Sequence, residues 1–243
     1  MRYNIWQKGL ILFLLFAIYR IADTTAPVSI CQSNSNRSGL IALWHLNTNS
    51  TSQPDATGNN HTGTVIGSAS YTTGKFGGAY VFPSYPSYIQ TDFTGATLNY
   101  NITVIAWIYP TDISTNRGIM GCADSNPWQG WYFRISYSKL QYHINGGGAE
   151  VYGNTPVTLN TWHQAAFTRT TGEFCLYLDG VLDKKQSFSS GNPGTRNVVF
   201  GAVYYEGGEH FYGKIDEVAI YNRVLSDAEI NFLYYNNPKV MIK

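Results

Sequence analysis

Two carboxylates stand side by side at Asp216 and Glu217, in the run "HFYGKIDEVAIYNRVLSDAEINFLYYN". A pair of acids could act as the acid and base of a glycosidase, or as hard oxygen ligands of a cation. Glycosidase chemistry needs two carboxyl groups about 5 to 9 Å apart on one face, flanking a single bond. Neighbours on a regular strand point to opposite faces. No further acid lies two or four residues away from either: Lys214, Val218 and Ile220 surround Asp216, and Ile215, Ala219 and Tyr221 surround Glu217. The pair therefore reads as architecture, a strand from Ile215 to Tyr221 leading into a helix, with Asp216 and Arg223 satisfying loop backbone groups. Gly-x-Ser-x-Gly, His-Glu-x-x-His, phosphate-loop and Cys-x-x-Cys patterns are all missing. His163, after Trp162 at a strand start, reads as structural. No catalytic residue is assigned, and the protein is expected not to be an enzyme.

The elements that would position any site are short. Apolar runs broken by Gly, Asn, Asp and Pro recur along the chain, among them "LIALWHL", "ITVIAWIYP", "GWYFRISY", "KLQYHIN", "EFCLYLDG" and "FYGKIDEVAIYN". Such spacing, without helical periodicity between the runs, predicts an all-β fold: a two-sheet antiparallel β-sandwich or jelly roll. In "EFCLYLDG" the pleat puts Phe174, Leu176 and Leu178 toward the core and Cys175 and Tyr177 on the other face. "ITVIAWIYP" is apolar at nearly every position, as expected of a central strand covered on both faces, so Trp107 is assigned to packing. One short C-terminal helix is signalled by Ser226 and Glu229, a capping box, followed by the stripe Ile230, Leu233, Tyr234 and the stop Asn236-Asn237-Pro238.

Composition narrows the partners. Net charge is +1, from 16 basic and 15 acidic residues, and no basic run exceeds Lys184-Lys185, so nucleic acid is not expected. Charged residues are 13% and aromatics 15% of the chain, which suits a polar, turn-rich surface for neutral ligands such as sugars. Arg2 and Lys8 precede "GLILFLLFAIY", eleven residues without charge, the pattern of a secretory signal. Eleven helical residues span roughly 16 Å against a hydrocarbon core of about 30 Å. Residues 1–26 are thus read as a signal peptide or an uncleaved membrane anchor, 27–39 as a polar linker, 40–237 as one domain and 238–243 as a tail. Extracellular or cell-surface placement follows, with any membrane contact through the N-terminal segment. If any two of the three cysteines pair in that oxidising setting, Cys122 and Cys175 are the choice; two small buried hydrophobes is an equal reading.

From about Leu40 to Tyr235 the chain resembles the laminin-G-like (LamG-like) jelly rolls of the concanavalin A-like lectin/glucanase superfamily and, more distantly, pentraxins. The carrying pieces are "LIALWHL", "DATGNNHTGT", "GKFGGAYVF", "ITVIAWIYP", "TWHQAAFTR", "FCLYLDGVL" and "FYGKIDEVAIYNRVLSDAEI". The pentraxin likeness places "CADSNPWQGW" and "VYYEGGEHF" where calcium ligands would be drawn, so that Asp124, Asn126, Glu206 and Glu209 form an implied Ca²⁺ set. Tyr204 and Tyr205 stand where that family would have acids or amides. Asp, Asn and Glu are also common turn residues. In the same loops Trp128, Tyr204 and Tyr205 could offer flat rings to sugars, Trp128 being the preferred platform, while Trp131 is read as a core candidate. Asp55 is expected to hold a turn by Asx hydrogen bonds. These readings together imply a carbohydrate-binding module or lectin, with calcium, whose partner is a glycan or glycosylated surface protein. The alternatives are an adhesion or protein-interaction module without sugar affinity and, less favoured, a glycoside hydrolase.

The apolar N-terminal run is built for a translocon and has no core pattern after it. A chain starting at Gly39 is therefore expected to be soluble and β-rich by far-ultraviolet circular dichroism. Unfolded or insoluble material would move the domain boundary toward the N-terminus.

Overall fold

A computed structural model of the chain describes residues 37–98, 101–125, 128–144, 150–188, 191–204 and 208–236. The expected leader, and Asn126, Tyr205 and Glu206, lie outside the described residues. In chain order the strands are β1 (Leu40–Trp44), β2 (Ser52–Gln53), β3 (Gly63–Gly67), β4 (Ser70–Thr73), β5 (Gly78–Phe82), β6 (Ser87–Thr94), β7 (Ile102–Pro110), β8 (Arg117–Gly121), β9 (Asp124–Ser125), β10 (Trp128–Gln129), β11 (Trp131–Ser136), β12 (Lys139–Ile144), β13 (Glu150–Pro156), β14 (His163–Arg169), β15 (Glu173–Leu178), β16 (Val181–Ser187), β17 (Asn197–Phe200) and β18 (Gly213–Tyr221), followed by helix α1 (Asp227–Tyr235). One eight-stranded sheet runs β16-β15-β14-β7-β18-β5-β4, with β1 also on β18; the other runs β13-β12-β11-β8-β17-β6-β3-β2. The named pairs are antiparallel, and β9 and β10 form a separate two-stranded piece.

The pleat sorts side chains as the alternation predicts. Phe174, Leu176 and Leu178 enter the core between the sheets, with Trp44, Trp131, Phe133, Tyr142, Phe167 and Phe200. Trp131 stacks on Tyr142 at 6.0 Å, and Tyr142 lies 3.9 Å from Phe174. Cys175 and Tyr177 face out, into a second apolar cluster with Leu43, Ile105, Ala219 and Tyr221 that α1 closes with Ile230 and Leu233. Ser226 and Glu229 make the capping box, worth about 1 kcal/mol. Each buried apolar side chain of the stripe adds roughly 1.5 to 3 kcal/mol. Tyr234 stacks on Trp107 at 5.5 Å and 14°, so this tryptophan is packing under the helix. Among the described residues no helix is long and apolar enough to cross a membrane.

Loop polar groups are met from within. Asp55 accepts the Leu43 and Thr57 N–H groups at 3.0 and 2.9 Å. His163 bridges Asp179 at 2.8 Å and Thr158 at 2.8 Å. Arg223 Nε donates to Ser38 O at 2.6 Å, which ties the turn at 37–39 to the sandwich and extends the folded unit one residue or more before Gly39. Asp183 at the edge strand β16 accepts the Asn154 and Thr155 N–H groups of β13, each at 2.9 Å, joining the two sheet edges and blocking edge-on pairing.

Two expectations need correction. Cys122 and Cys175 are free thiols. Cys122 is part of the inter-sheet core, whereas Cys175 packs on the outer face of the other sheet beneath α1, so a layer of sheet separates them. The equal reading, two small buried hydrophobes, is the one realised. The second concerns Asp216 and Glu217. Glu217 has φ of 50° and sits at a register shift between Asp216 and Ala219, a β-bulge that cancels simple alternation at this step. Asp216 Oδ2 accepts the Lys75 and Phe76 N–H groups at 2.8 and 3.0 Å, and Glu217 Oε2 meets His45 Nδ1 at 2.6 Å. At 0% and 2% exposure the pair has no access to a substrate, so it is architectural by burial rather than by opposite orientation.

Burial pushes the Asp216 carboxyl up to about 7; the Phe76 N–H opposes this, and the charge of Glu217 adds to it. The folded state then holds a proton that the unfolded chain releases near the ordinary carboxylate value. Stability from this group is present at acid pH and is lost as pH rises toward 7. Asp216→Asn keeps an acceptor for both N–H groups without the charge. It should flatten the fall in unfolding free energy between pH 5 and 8, with a gain of up to a few kcal/mol at pH 8. Urea unfolding across that range checks this; an unchanged slope contradicts it.

Candidate sugar-binding face

The outer face of the second sheet carries an ordered set of polar and aromatic side chains. On β11, Trp131, Phe133 and Ile135 enter the core, leaving Tyr132, Arg134 and Ser136 outward. On β12, Leu140, Tyr142 and Ile144 enter the core, leaving Gln141 and His143 outward. Register places Tyr132 opposite His143 and Arg134 opposite Gln141, then Gln141 opposite Tyr152 and His143 opposite Glu150 on β13. These cross-strand neighbours share a face by construction.

The next strand inward, β8, has glycines at 118 and 121, opposite Arg134 and Tyr132. A Cβ at Gly118 would lie 2.2 Å from Glu209 O, and one at Gly121 would lie 2.6 Å from Val203 O. The segment after β17 therefore crosses this strand at backbone contact, with Gly118 N donating to Glu209 O at 2.9 Å. It delivers Tyr204 and Glu209 beside the β11 row.

Arg134 holds the set together. It is 8% exposed. Its Nε donates to Gln141 Oε1 and its Nη1 to Glu209 Oε2; Glu150 lies at 4.0 Å. Gln141 Nε2 in turn donates to Glu150, and Tyr152 OH donates to the same carboxylate at 2.9 Å. The guanidinium lies over the Tyr132 ring at 4.4 Å. Tyr132 stacks on His143 at 4.7 Å and 13° and meets Tyr204 at 6.5 Å. At the far end Tyr137, 83% exposed, approaches Tyr152 at 6.1 Å. Burial pushes the Tyr132 phenol up to about 12 and raises Tyr204 too, so both stay neutral donors at ordinary pH. The result is a strip with rings at both ends and hydrogen-bonding groups between. Tyr132 to Ser136 covers roughly 13 Å at about 3.3 Å per residue, the scale of a short oligosaccharide.

Of the residues singled out in the sequence, Tyr204 and Glu209 belong to this face. The two loops do meet, since Ala123 bridges to Tyr204 and Ala123 N donates to Val203 O at 3.2 Å. Their carboxylates go to different arginines: Asp124 to Arg196 Nε at 2.7 Å, Glu209 to Arg134 and to Asn116 Nδ2. A carboxylate already met by a guanidinium is a poor cation ligand until that partner is displaced. Among the described residues no three His, Cys, Asp or Glu side chains gather as a metal site. Trp128 starts β10, whose hairpin pairs Gln129 with Asp124. Tyr132, Arg134, Gln141, His143, Glu150 and Tyr152 were not singled out. Their signal was the polar half of the alternation in "WYFRIS" and "KLQYHI", read only for its apolar half.

Removing Arg134 would leave Glu209 with only the neutral Asn116 amide and the buried Gln141 oxygen without its donor. Arg134→Ala should cost about 2 to 3 kcal/mol in urea unfolding, and Arg134→Lys should recover only part, since one ammonium cannot reproduce the fork. An unchanged midpoint in both variants would mean that the network contributes nothing.

Comparison with known proteins agrees with this architecture. Residues 83–231 match the sequence model of the concanavalin A-like lectin/glucanases superfamily. A search of curated protein sequences finds no significant match. Among solved structures, the chain is similar to domain 4 of AbnA, an extracellular arabinanase from Geobacillus stearothermophilus, in complex with arabinotriose, at TM-score 0.65 and 21% identity over 81% of this chain and 98% of that one. It is also similar to the binding domain of Paraclostridial Mosquitocidal Protein 1, at TM-score 0.68 and 16% identity over 82% of this chain and 52% of that one. A third is the botulinum neurotoxin serotype D ligand binding domain in complex with N-acetylneuraminic acid, at TM-score 0.66 and 16% identity over 84% of this chain and 52% of that one. The chain spans about half the length of the two toxin domains. With the two-sheet architecture and a match over more than half its length, the chain belongs to the concanavalin A-like lectin/glucanase superfamily.

Proposed function

We propose that this protein is a non-enzymatic carbohydrate-binding module whose ligand, a neutral oligosaccharide, lies along the outer face of β11–β13. The observation that carries the reading is the strip itself: Tyr204 and His143 at one end, Tyr137 and Tyr152 at the other, and Gln141, Glu150 and Glu209 fixed between them by Arg134. Aromatic faces suit the C–H faces of sugar rings, and carboxylates held in place by an arginine are pre-oriented acceptors for sugar hydroxyls. Two glutamates against one arginine leave a formal excess of negative charge, which favours neutral over acidic sugars. Fold relatives bound to arabinotriose and to N-acetylneuraminic acid support sugar binding on this scaffold.

The charges of Asp124 and Glu209 are met by Arg196 and Arg134, which supports binding without calcium. The resemblance to secreted lectin-like domains and the N-terminal apolar run support display outside the cytoplasm. The second reading, an adhesion module without sugar affinity, draws on the exposed tyrosines at 85, 137 and 235. A glycan array on the full chain, with and without chelator, separates them. Retention on neutral oligosaccharides, unchanged by chelator and weakened about tenfold in Tyr204→Ala and in Tyr152→Ala, is expected. No retention on any glycan favours the adhesion reading, and loss with chelator restores the calcium-dependent one. Release of reducing sugar from common polysaccharides would overturn the non-enzymatic assignment.

A further inference from the structure

On the opposite sheet a cleft of about 450 Å³ opens between the outer face of β14–β16 and the first turn of α1. Cys175 and Tyr177 of β15 line it, with Leu182 and Lys185 from the edge strand β16 and residues 224–228 from the start of the helix. The volume falls within the range of small-ligand sites. Two features at its walls bear on what it takes.

The first is exposed apolar surface at a polar opening. Leu182 and Val224 are 39% and 37% exposed, although the cluster beneath α1 is otherwise closed. Apolar groups left open at a concave polar site are the complement of a ligand with one apolar face. The second is charge compensation. Lys185 Nζ pairs with Glu173 Oε2 at 2.7 Å, and Tyr177 OH donates to Asp227 Oδ1 at 2.8 Å. Each ionised group thus has a partner nearby, and the lining carries one lysine against two acids. An anion finds no surplus cation there. The hydroxyls of Thr170 and Ser226 are already engaged, in the turn before β15 and in the helix cap, so a ligand's polar groups would meet Glu173, Lys185 and Asp227.

We propose that this cleft is a second carbohydrate site, taking a single neutral pentose or hexose unit. The ring's apolar face would lie on Leu182 and Val224, and its hydroxyls would exchange hydrogen bonds with Glu173, Lys185 and Asp227. The two sites lie on opposite sheets, so the module is bivalent and suited to clustered or branched glycan, where a second contact acts at high effective concentration. This inference does not depend on the strip on β11–β13.

Cys175 reports on the cleft, and Cys122, buried in the core, is an internal reference. The full chain is labelled with methyl methanethiosulfonate and each cysteine is followed by peptide mass mapping, with arabinose, glucose, galactose, glucosamine or N-acetylneuraminic acid present. At least one neutral sugar should slow Cys175 labelling about tenfold at saturation without changing Cys122. Protection should survive Tyr204→Ala and be lost in Leu182→Asp. Ala228→Trp, at an exposed position on the cleft wall, should slow labelling with no sugar present. The proposal is overturned if no neutral sugar protects, if only the charged sugars do, if Tyr204→Ala abolishes protection, or if Cys175 resists labelling without sugar.

Discussion

A guanidinium placed on the outer face of a sheet, yet only 8% exposed, must have its charge met inside the protein. Arg134 imposes that constraint on everything around it. Glu209 reaches it because the segment after β17 lies directly on β8, and that contact requires the missing side chains of Gly118 and Gly121. Gln141 reaches it by register, and passes the constraint to Glu150 and Tyr152. The aromatic rings follow from the same arrangement, with Tyr132 held between the guanidinium and His143. One charge thus fixes side chains from three strands and a crossing segment into a single surface. A surface so pre-organised loses little entropy on binding a flexible sugar.

The first sheet solves a different problem. β18 pairs with β5 up to Ile215 and with β1 from Val218, so one strand edge serves two partners in succession. The bulge at Glu217 falls in that gap and places two carboxylates where backbone and a histidine need acceptors. The cost is a carboxyl raised by burial, a local conflict that the sheet tolerates because Asp216 pins the chain at Lys75 and Phe76. The acid pair most suggestive of chemistry is therefore a joint between strands.

Much of this was legible in the sequence because it follows from period-two patterning. The core row of β15, the helix with its Ser226–Glu229 cap, and the packing role of Trp107 all follow from patterning in the sequence. What was hidden depends on geometry that spacing does not encode. A bulge at a non-glycine residue, Glu217, breaks alternation without a sequence signal. A disulfide needs Cα atoms about 4.4 to 6.8 Å apart with side chains facing each other, and Cys122 and Cys175 lie on opposite sides of a sheet layer. The candidate face was half legible: Tyr204 and Glu209 stood out as loop residues, whereas Arg134 and Gln141 carried no signal until register set them opposite each other. Of the oxygen atoms that looked like a calcium set in the sequence, those of Asp124 and Glu209 are met by Arg196 and Arg134; Asn126 and Glu206 lie outside the described residues.

The central claim is that sugar is held on the Arg134-organised face, and a crystal structure of the protein with arabinotriose tests it most directly. The account predicts density along β11–β13, a ring against Tyr204 or Tyr152, and sugar hydroxyls within about 3 Å of Glu150 or Glu209. Arabinotriose bound only at the 122–131 loop, through a cation or otherwise, or an empty β11–β13 face at saturating sugar, would contradict it.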